Sequence, residues 1–270
     1  MKNHRKTSFL LFALLVTLGI TVSVTLRGHS QNQNKTASPN QDNLKKAAED
    51  FYTITDYDSP EPADPQKRAL RQARGKRYGV PAQKGVDPKR FMITEKKGDF
   101  LGGPSSHAPA EPAIPIVQSD AVIIGEITGA QAFLSEDKTA IYSEFKVRIE
   151  EVLKDGSPAS LTHDSEIVAE RSGGAVRFAS GKITRVGFEG KPLPRIGRKY
   201  LLFLKYSAEG QDFILITAYE LRAGQVYPLD GLTLEGKALW PYEAYQKYKG
   251  ADEASFLNEV RQAIATAGRG

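Results

Sequence analysis

The chain has 270 residues, of which 40% are hydrophobic and 26% charged, enough for one medium domain with appendages or two small domains, and too few for a large multidomain enzyme. The absence of cysteine excludes a disulfide framework, a cysteine nucleophile, an iron–sulfur cluster and any thiolate zinc site. The net charge of +5 is unevenly placed: residues 1–115 carry 18 Lys and Arg against 11 Asp and Glu, and residues 116–270 carry 19 against 21, so the basic excess belongs to the N-terminal part.

Lys2, His4, Arg5 and Lys6 precede an apolar stretch over 7–26 that ends at Arg27. A positive cluster before such a run engages a membrane, and the positive-inside rule places the N-terminus in the cytoplasm and everything after Arg27 outside. As a helix the stretch spans about 30 Å, roughly the hydrocarbon thickness, whereas a cleavable signal needs only about 7–15 apolar residues. Length therefore favours a single-pass anchor over 1–27 in the cell membrane. Cleavage after Ser23, with Thr21 two positions earlier, would instead give a secreted or periplasmic protein.

Residues 28–115 hold 10 of the 15 prolines and few apolar runs, the composition of a mostly disordered stalk. Residues 29–43 read as a flexible spacer and 102–115, with four prolines, as a semi-extended one. Two short helices are expected within it. Leu44, Ala47, Ala48, Phe51 and Tyr52 recur at helical spacing, and 66–77 is rich in helix formers. Lys67, Arg68, Arg71, Arg74, Lys76 and Arg77 form the densest basic cluster in the chain. They suit either a polyanion or a solvated linker helix, and the apolar face of Ala69, Leu70 and Ala73 is too thin for a membrane-surface helix.

Past residue 115 the period changes to two. The run 121–127 is almost continuously apolar, as in a strand buried on both faces. In 141–149, Ile141, Ser143, Phe145, Val147 and Ile149 face one way, and Tyr142, Glu144, Lys146 and Arg148 the other, toward solvent. The alternation breaks at Glu150 and Glu151, which predicts a bulge or bend. Ser135 to Lys138 read as the turn of a long hairpin. Further strands are expected over 166–171, 175–179, 183–188, 200–206, 213–221 and 226–229, punctuated by glycine turns. Short strands at this spacing without intervening helices predict a mainly β fold with a closed or nearly closed antiparallel barrel. Two C-terminal helices follow, one starting near Pro241 and one after Asp252 with Phe256, Leu257, Val260 and Ile264 on one face. Trp240 reads as a core or lid residue. The expected organisation is an anchor or signal over 1–27, a stalk over 28–115, a barrel over 116–240 and helices over 241–270.

The stretch from Ser119 through Gly125, Glu126 and Ile127, the strand ending at Val152, Leu153, Lys154, Asp155 and Gly156, and Pro194, Gly197, Arg198, Tyr200, Leu201, Leu202, Phe203 and Leu204 resemble exported bacterial domains of the netrin and tissue-inhibitor-of-metalloproteinase type. The likeness covers about 116–221 and implies an OB-like five-stranded barrel. It extends to uncharacterised exported bacterial proteins with Arg171, Gly173 and Gly174 and the 200–204 strand. The inhibitory mechanism of that type needs a processed N-terminal cysteine, which this chain lacks.

Catalytic signals are sparse. His163 is the one histidine in the barrel region, and its neighbours Asp164 and Ser165 do not make a triad, because triad members converge from distant segments. Gly-x-Ser-x-Gly does not occur, and the Ser-x-x-Lys spacing of Ser135 and Lys138 falls in a turn rather than on a helix. No phosphate-loop or calcium-loop pattern is found. Glu144, Glu150, Glu151, Glu166 and Glu170 leave open a hydrolase working through paired carboxylates.

From Arg171 to Lys199 there are eight Lys and Arg, opposed by Glu189 alone, among six glycines. Arg171, Arg177, Arg185, Arg198 and Lys199 are the candidate surface for an anionic polymer or an envelope protein; the alternative is a solvated hairpin whose charges discourage edge pairing. The reading is a membrane-tethered, extracytoplasmic binding or scaffold domain with no cofactor and no catalytic residues. The alternatives are a cell-envelope hydrolase and, were the topology reversed, a single-stranded nucleic-acid-binding protein, which export and the scattered Tyr206, Tyr219 and Tyr227 disfavour.

Overall fold

The computed structural model describes residues 53–79, 89, 91–102, 112–231 and 243–268. The apolar stretch 7–26, the expected helix over 44–52 and Trp240 lie outside these residues. Among the described residues no helix is long and apolar enough to cross a membrane.

The chain is mainly β, in two sheets with a C-terminal helical segment. The period-two pattern past residue 120 forms β3 (Ala121–Leu134), β4 (Ile141–Asp155), β5 (Glu166–Ser172), β6 (Gly174–Arg177), β7 (Ile183–Phe188), β8 (Lys199–Ser207), β9 (Asp212–Arg222) and β10 (Gln225–Pro228). Before them come β1 (Ile54–Asp56), helix α1 (Pro65–Tyr78) and β2 (Phe100–Gly102); after them come a 3₁₀ helix (Glu243–Tyr248), β11 (Ala251–Asp252) and helix α2 (Glu253–Ala267).

In the larger sheet β3 pairs antiparallel with β4 and β8, β4 antiparallel with β5, β5 parallel with β9, and β9 antiparallel with β8 and β10. The expected irregularity at Glu150 is present. Ile124 faces Glu151 while Gly125 faces Ile149, so Glu150 is the extra residue of a bulge. The smaller sheet runs β1-β6-β7-β2, with β1 parallel to β6 and β2 parallel to β7.

The run 121–127 is buried on both faces, as its composition requires. One face, with Ala121, Ile123 and Ile127, packs with Phe145, Val147, Ile149, Leu202, Leu204, Phe213 and Leu215. The other, with Val122 and Ile124, joins Leu201, Phe203, Tyr219 and the C-terminal Tyr245, Tyr248, Phe256, Leu257 and Val260. Helix α2 begins where expected: the Asp252 carboxylate accepts from the Ser255 N–H at 2.8 Å and caps the first turn. A third cluster of Ile93, Ala132, Ile141, Val176 and Phe178 joins the smaller sheet to the β3–β4 hairpin.

Two expectations are corrected. Residues 53–79 and 91–102 are not disordered stalk: the helix expected over 66–77 forms α1 and packs against β4, and β1 and β2, which were not expected, add strands to the smaller sheet. Composition missed this because the ordering free energy comes from strand addition and ion pairs rather than from an apolar run. Tyr142 and Glu144 do not face solvent either. Tyr142 is fully buried, because α1 covers the side of β4 that an uncovered hairpin would present to water.

The Gly173–Gly174 pair lets the chain leave the larger sheet at β5 and enter the smaller one at β6. Gly174 has φ +144°, and a Cβ there would lie 2.8 Å from Ile141 Cγ2 and 3.1 Å from Ala132 Cβ. The Gly174→Ala protein is expected to lose about 1–3 kcal/mol of stability from backbone strain and crowding. An unchanged midpoint in chemical denaturation would show that the chain does not need glycine here.

Candidate functional site

Helix α1 starts at a strong local signal: Asp64 accepts from the Gln66 N–H at 2.8 Å, and Pro65 occupies the first helical position. Lys76 and Arg77 lie in its last turn, where cations oppose the helix dipole favourably. Its arginines recur every three residues as Arg68, Arg71, Arg74 and Arg77, so Arg74 and Arg77 share a face.

That face sits on three carboxylates. Glu144 and Glu170 are directly opposite one another in the β4–β5 pairing, an arrangement of like charges that is destabilising without a cation over it. Asp212 begins the neighbouring β9. Arg74 pairs with Glu144 and with Asp212, each at 2.9 Å. Arg77 pairs with Glu170 and, at 3.1 Å, with Asp212, and donates to Ser207 Oγ at 2.8 Å. Tyr78 donates its hydroxyl to Glu170 at 3.1 Å, and its ring stacks on Tyr142 at 5.3 Å. The Glu170 and Asp212 side chains have no exposed surface. Gly210 closes the seat: its carbonyl accepts from Arg74 Nε and Nη2 at 3.1 and 2.9 Å, and a Cβ there would run into Arg77 and Asp212.

The seat therefore holds three carboxylates against two guanidinium groups, with Glu170 and Asp212 fully buried and the others only partly exposed. Burial pushes the Tyr78 and Tyr142 phenols up. It also pushes the Asp212 carboxyl above its ordinary 3.8, against the opposing pull of Arg74 and Arg77.

Seated in this way, α1 forms one wall of an open cleft of about 540 Å³. The facing walls are the β1–α1 loop and the β3–β4 hairpin. The hairpin turn is rigid: Asp137 Oδ1 accepts from Ser135 Oγ at 2.6 Å, Thr139 N at 3.1 Å and Thr139 Oγ1 at 2.8 Å. Two cation-over-ring pairs line the cleft. The Arg71 guanidinium lies 4.4 Å from the centre of the Phe133 ring, and the Lys138 ammonium 3.9 Å from that of Tyr57. Gln72 and Gln131 also line it, and Asp56, Asp58, Glu61 and Glu136 supply its carboxylates.

The five candidate basic residues are not brought together as one face. Arg171 is buried at 4% exposure, paired with Asp230 at 2.7 Å and donating to the Pro192 carbonyl at 3.0 Å. It cannot contact a partner from there, because a buried guanidinium is tolerated only when its donors are engaged inside. Arg177 and Arg185 lie on the smaller sheet near Asp56 at 3.8 Å and Asp99 at 3.1 Å. Arg198 and Lys199, by the start of β8, approach Glu220 at 3.6 Å and Glu150 at 2.7 Å. Each thus has a carboxylate that its sequence neighbourhood does not contain.

The five glutamates considered for hydrolysis are likewise all ion-paired: Glu144 and Glu170 in the seat, Glu150 with Lys199, Glu151 with Arg261 at 2.9 Å and Glu166 with Lys146 at 3.2 Å. His163 lies exposed in a turn, 3.0 Å from its neighbour Asp164. Among the described residues no group of three or more His, Cys, Asp or Glu is placed to hold a metal ion. Tyr57, Arg71, Gln72, Gln131, Phe133 and Lys138 were not singled out together by sequence reasoning. The available signal was the three-residue spacing of the α1 arginines, which marks a helix face meant to meet something.

Comparison with protein-family models found no match, and neither did comparison with curated protein sequences.

Arg77→Ala leaves Glu170 without a cation and is expected to cost about 3–5 kcal/mol, with loss of hydrogen-exchange protection along α1. Retained protection of α1 would show that apolar packing alone holds the helix. A carboxyl raised by folding contributes stability that is complete below pH 3.8 and is lost as the pH rises through its folded value. In the mildly acidic range above pH 3.8 the protein should therefore carry a downward component of stability that Asp212→Asn lacks; parallel stability curves for the two would refute it.

Proposed function

We propose that the protein is a non-catalytic extracytoplasmic binding domain, an OB-like barrel held at the membrane by its N-terminal segment, which takes its ligand in the cleft between α1, the β1–α1 loop and the β3–β4 hairpin. The barrel reading is supported by the pairings of β3, β4, β5, β9 and β8, which return to their starting strand and include one parallel contact between β5 and β9. The tether reading rests on Lys2 to Lys6 and the apolar run 7–26. The observation that carries the binding role is the composition of the cleft. Two aromatic rings, each faced by a cation, and two side-chain amides line it, and its α1 wall is fixed by the Arg74 and Arg77 ion pairs. A concave surface that sets aromatic rings beside positioned cations and amides offers a ligand both stacking and hydrogen-bonding contacts.

The partner is an envelope component, protein or polymer. The cleft replaces the Gly-rich hairpin as its contact surface, because Arg171 is buried and the other four basic residues are balanced by carboxylates. The test is retention of the full-length protein on isolated cell-envelope fractions. Gln131→Ala combined with Arg71→Ala is expected to reduce retention by about tenfold or more, while charge reversal at Arg177 and Arg185 leaves it near the unmodified level. The opposite pattern would return the hairpin to first place and remove the cleft.

A further inference from the structure

The Arg71 guanidinium is the one cation of the cleft without a carboxylate or hydrogen-bond acceptor among the described residues. Arg68 pairs with Glu61 at 3.4 Å and donates to the Pro62 carbonyl at 3.1 Å, and Lys138 donates to the Tyr57 carbonyl at 3.3 Å. Arg71 has the Phe133 ring as its platform, and its own backbone carbonyl accepts from the Tyr142 hydroxyl at 3.3 Å, which fixes the helix at that point. The result is a planar fork of donors that lies over the Phe133 ring and lines the cleft. The side-chain amides of Gln72 and Gln131, which also line the cleft, make no hydrogen bond among the described residues.

From this we infer that the cleft recognises a short peptide through a free carboxylate, which forms a two-pronged pair with Arg71 while Gln72 and Gln131 engage its amide groups. The inference rests on the binding role proposed above and narrows it to a ligand class. A guanidinium fork matches a carboxylate in geometry and charge. Its stacking on Phe133 reduces the side-chain freedom that pairing would otherwise cost.

The surrounding charge favours a ligand that is not a polyanion. The cleft is lined by Asp56, Asp58, Glu61 and Glu136 against Arg68, Arg71 and Lys138, so the lining carries one more negative than positive group. Acidic repeats would be repelled there, whereas a peptide carrying an amino group near its carboxylate would place opposite charges on both.

The experiment measures binding of three probes to the full-length protein in mild detergent by calorimetry: Lys-Ala-Ala as the free acid, the same tripeptide as its C-terminal amide, and a tetramer of glucuronic acid. The free acid is expected to bind saturably, and the amide about tenfold or more weaker. The glucuronate is expected to bind more weakly than the free acid.

Arg71→Ala should abolish the preference for the acid over the amide. Arg71→Lys should restore charge but recover only part of the preference, because an ammonium is a point charge without the fork. An unchanged melting temperature of Arg71→Ala separates ligand loss from unfolding. Equal affinity for acid and amide, tighter binding of the glucuronate, absence of saturable peptide binding, or an Arg71→Ala protein that keeps the acid preference would each overturn the inference. If the cleft variants lose envelope retention while the tripeptide acid does not bind, the binding role stands and the carboxylate assignment falls. If retention survives those variants, the binding role falls with it.

Discussion

The two guanidinium groups of Arg74 and Arg77, set over Glu144, Glu170 and Asp212, are the constraint on which the docking of α1 and the cleft beside it depend. Glu144 and Glu170 face each other across the β4–β5 ladder, and the fully buried Glu170 could not stay ionised there unpaired. Helix α1 supplies the missing charge. In doing so it covers Tyr142, stacks Tyr78 against it and places Arg71 over Phe133. Buried ion pairs of this kind contribute modestly to net stability compared with an apolar replacement, but losing one partner is costly. Their main effect is to specify where and in which orientation the helix docks.

This docking converts a helix with little apolar surface into a structural wall. A helix that packs by hydrophobic contact alone needs a broad apolar stripe, and α1 offers Ala69, Leu70 and Ala73. Gly75, its buried residue, lies against the backbone of the β3–β4 turn at Ser135. Farther along the same outward face, the one turned away from Phe145, Ala169 and Phe213, the covering is organised differently. There Tyr219 sits within an aromatic group of Tyr245, Tyr248 and Phe256, with ring centres 4.7–6.0 Å apart, and α2 packs by apolar burial. One flank of the sheet is thus covered by charge pairing and the other by aromatic packing. The cleft lies on the charged flank, where the polar groups that a ligand needs are already present.

The smaller sheet has a related role. Two strands from ahead of residue 103 join the β6–β7 hairpin in parallel, and Tyr57, just past β1, packs its ring 4.9 Å from that of Phe178. The β1–α1 wall of the cleft is therefore anchored to the smaller sheet through β1, while ion pairs to the larger sheet anchor the α1 wall. The Gly173–Gly174 step makes both possible, because it carries the chain from the larger sheet to the smaller one within a single residue pair.

The helix over 66–77, the strands β3 to β10 in chain order, the apolar run at 121–127, the bulge at Glu150, the hairpin turn at Ser135 to Lys138 and the helix start at Asp252 were legible in the sequence. Each follows from local periodicity, turn chemistry or capping, which neighbouring residues decide. The site was not legible, because its members come from the β1–α1 loop, α1 and the β3–β4 hairpin, as far as 81 residues apart, and are brought together by the tertiary fold rather than by spacing. The charge of Arg74 could be read; that it faces Glu144 and Asp212 could not. The sequence likewise showed Arg171, Arg177, Arg185, Arg198 and Lys199 as one basic cluster. Only the tertiary structure buried the first against Asp230 and gave each of the others a carboxylate from a distant strand or loop. Charge along a chain is a local property, whereas the field at a surface is set by every strand folded beside it.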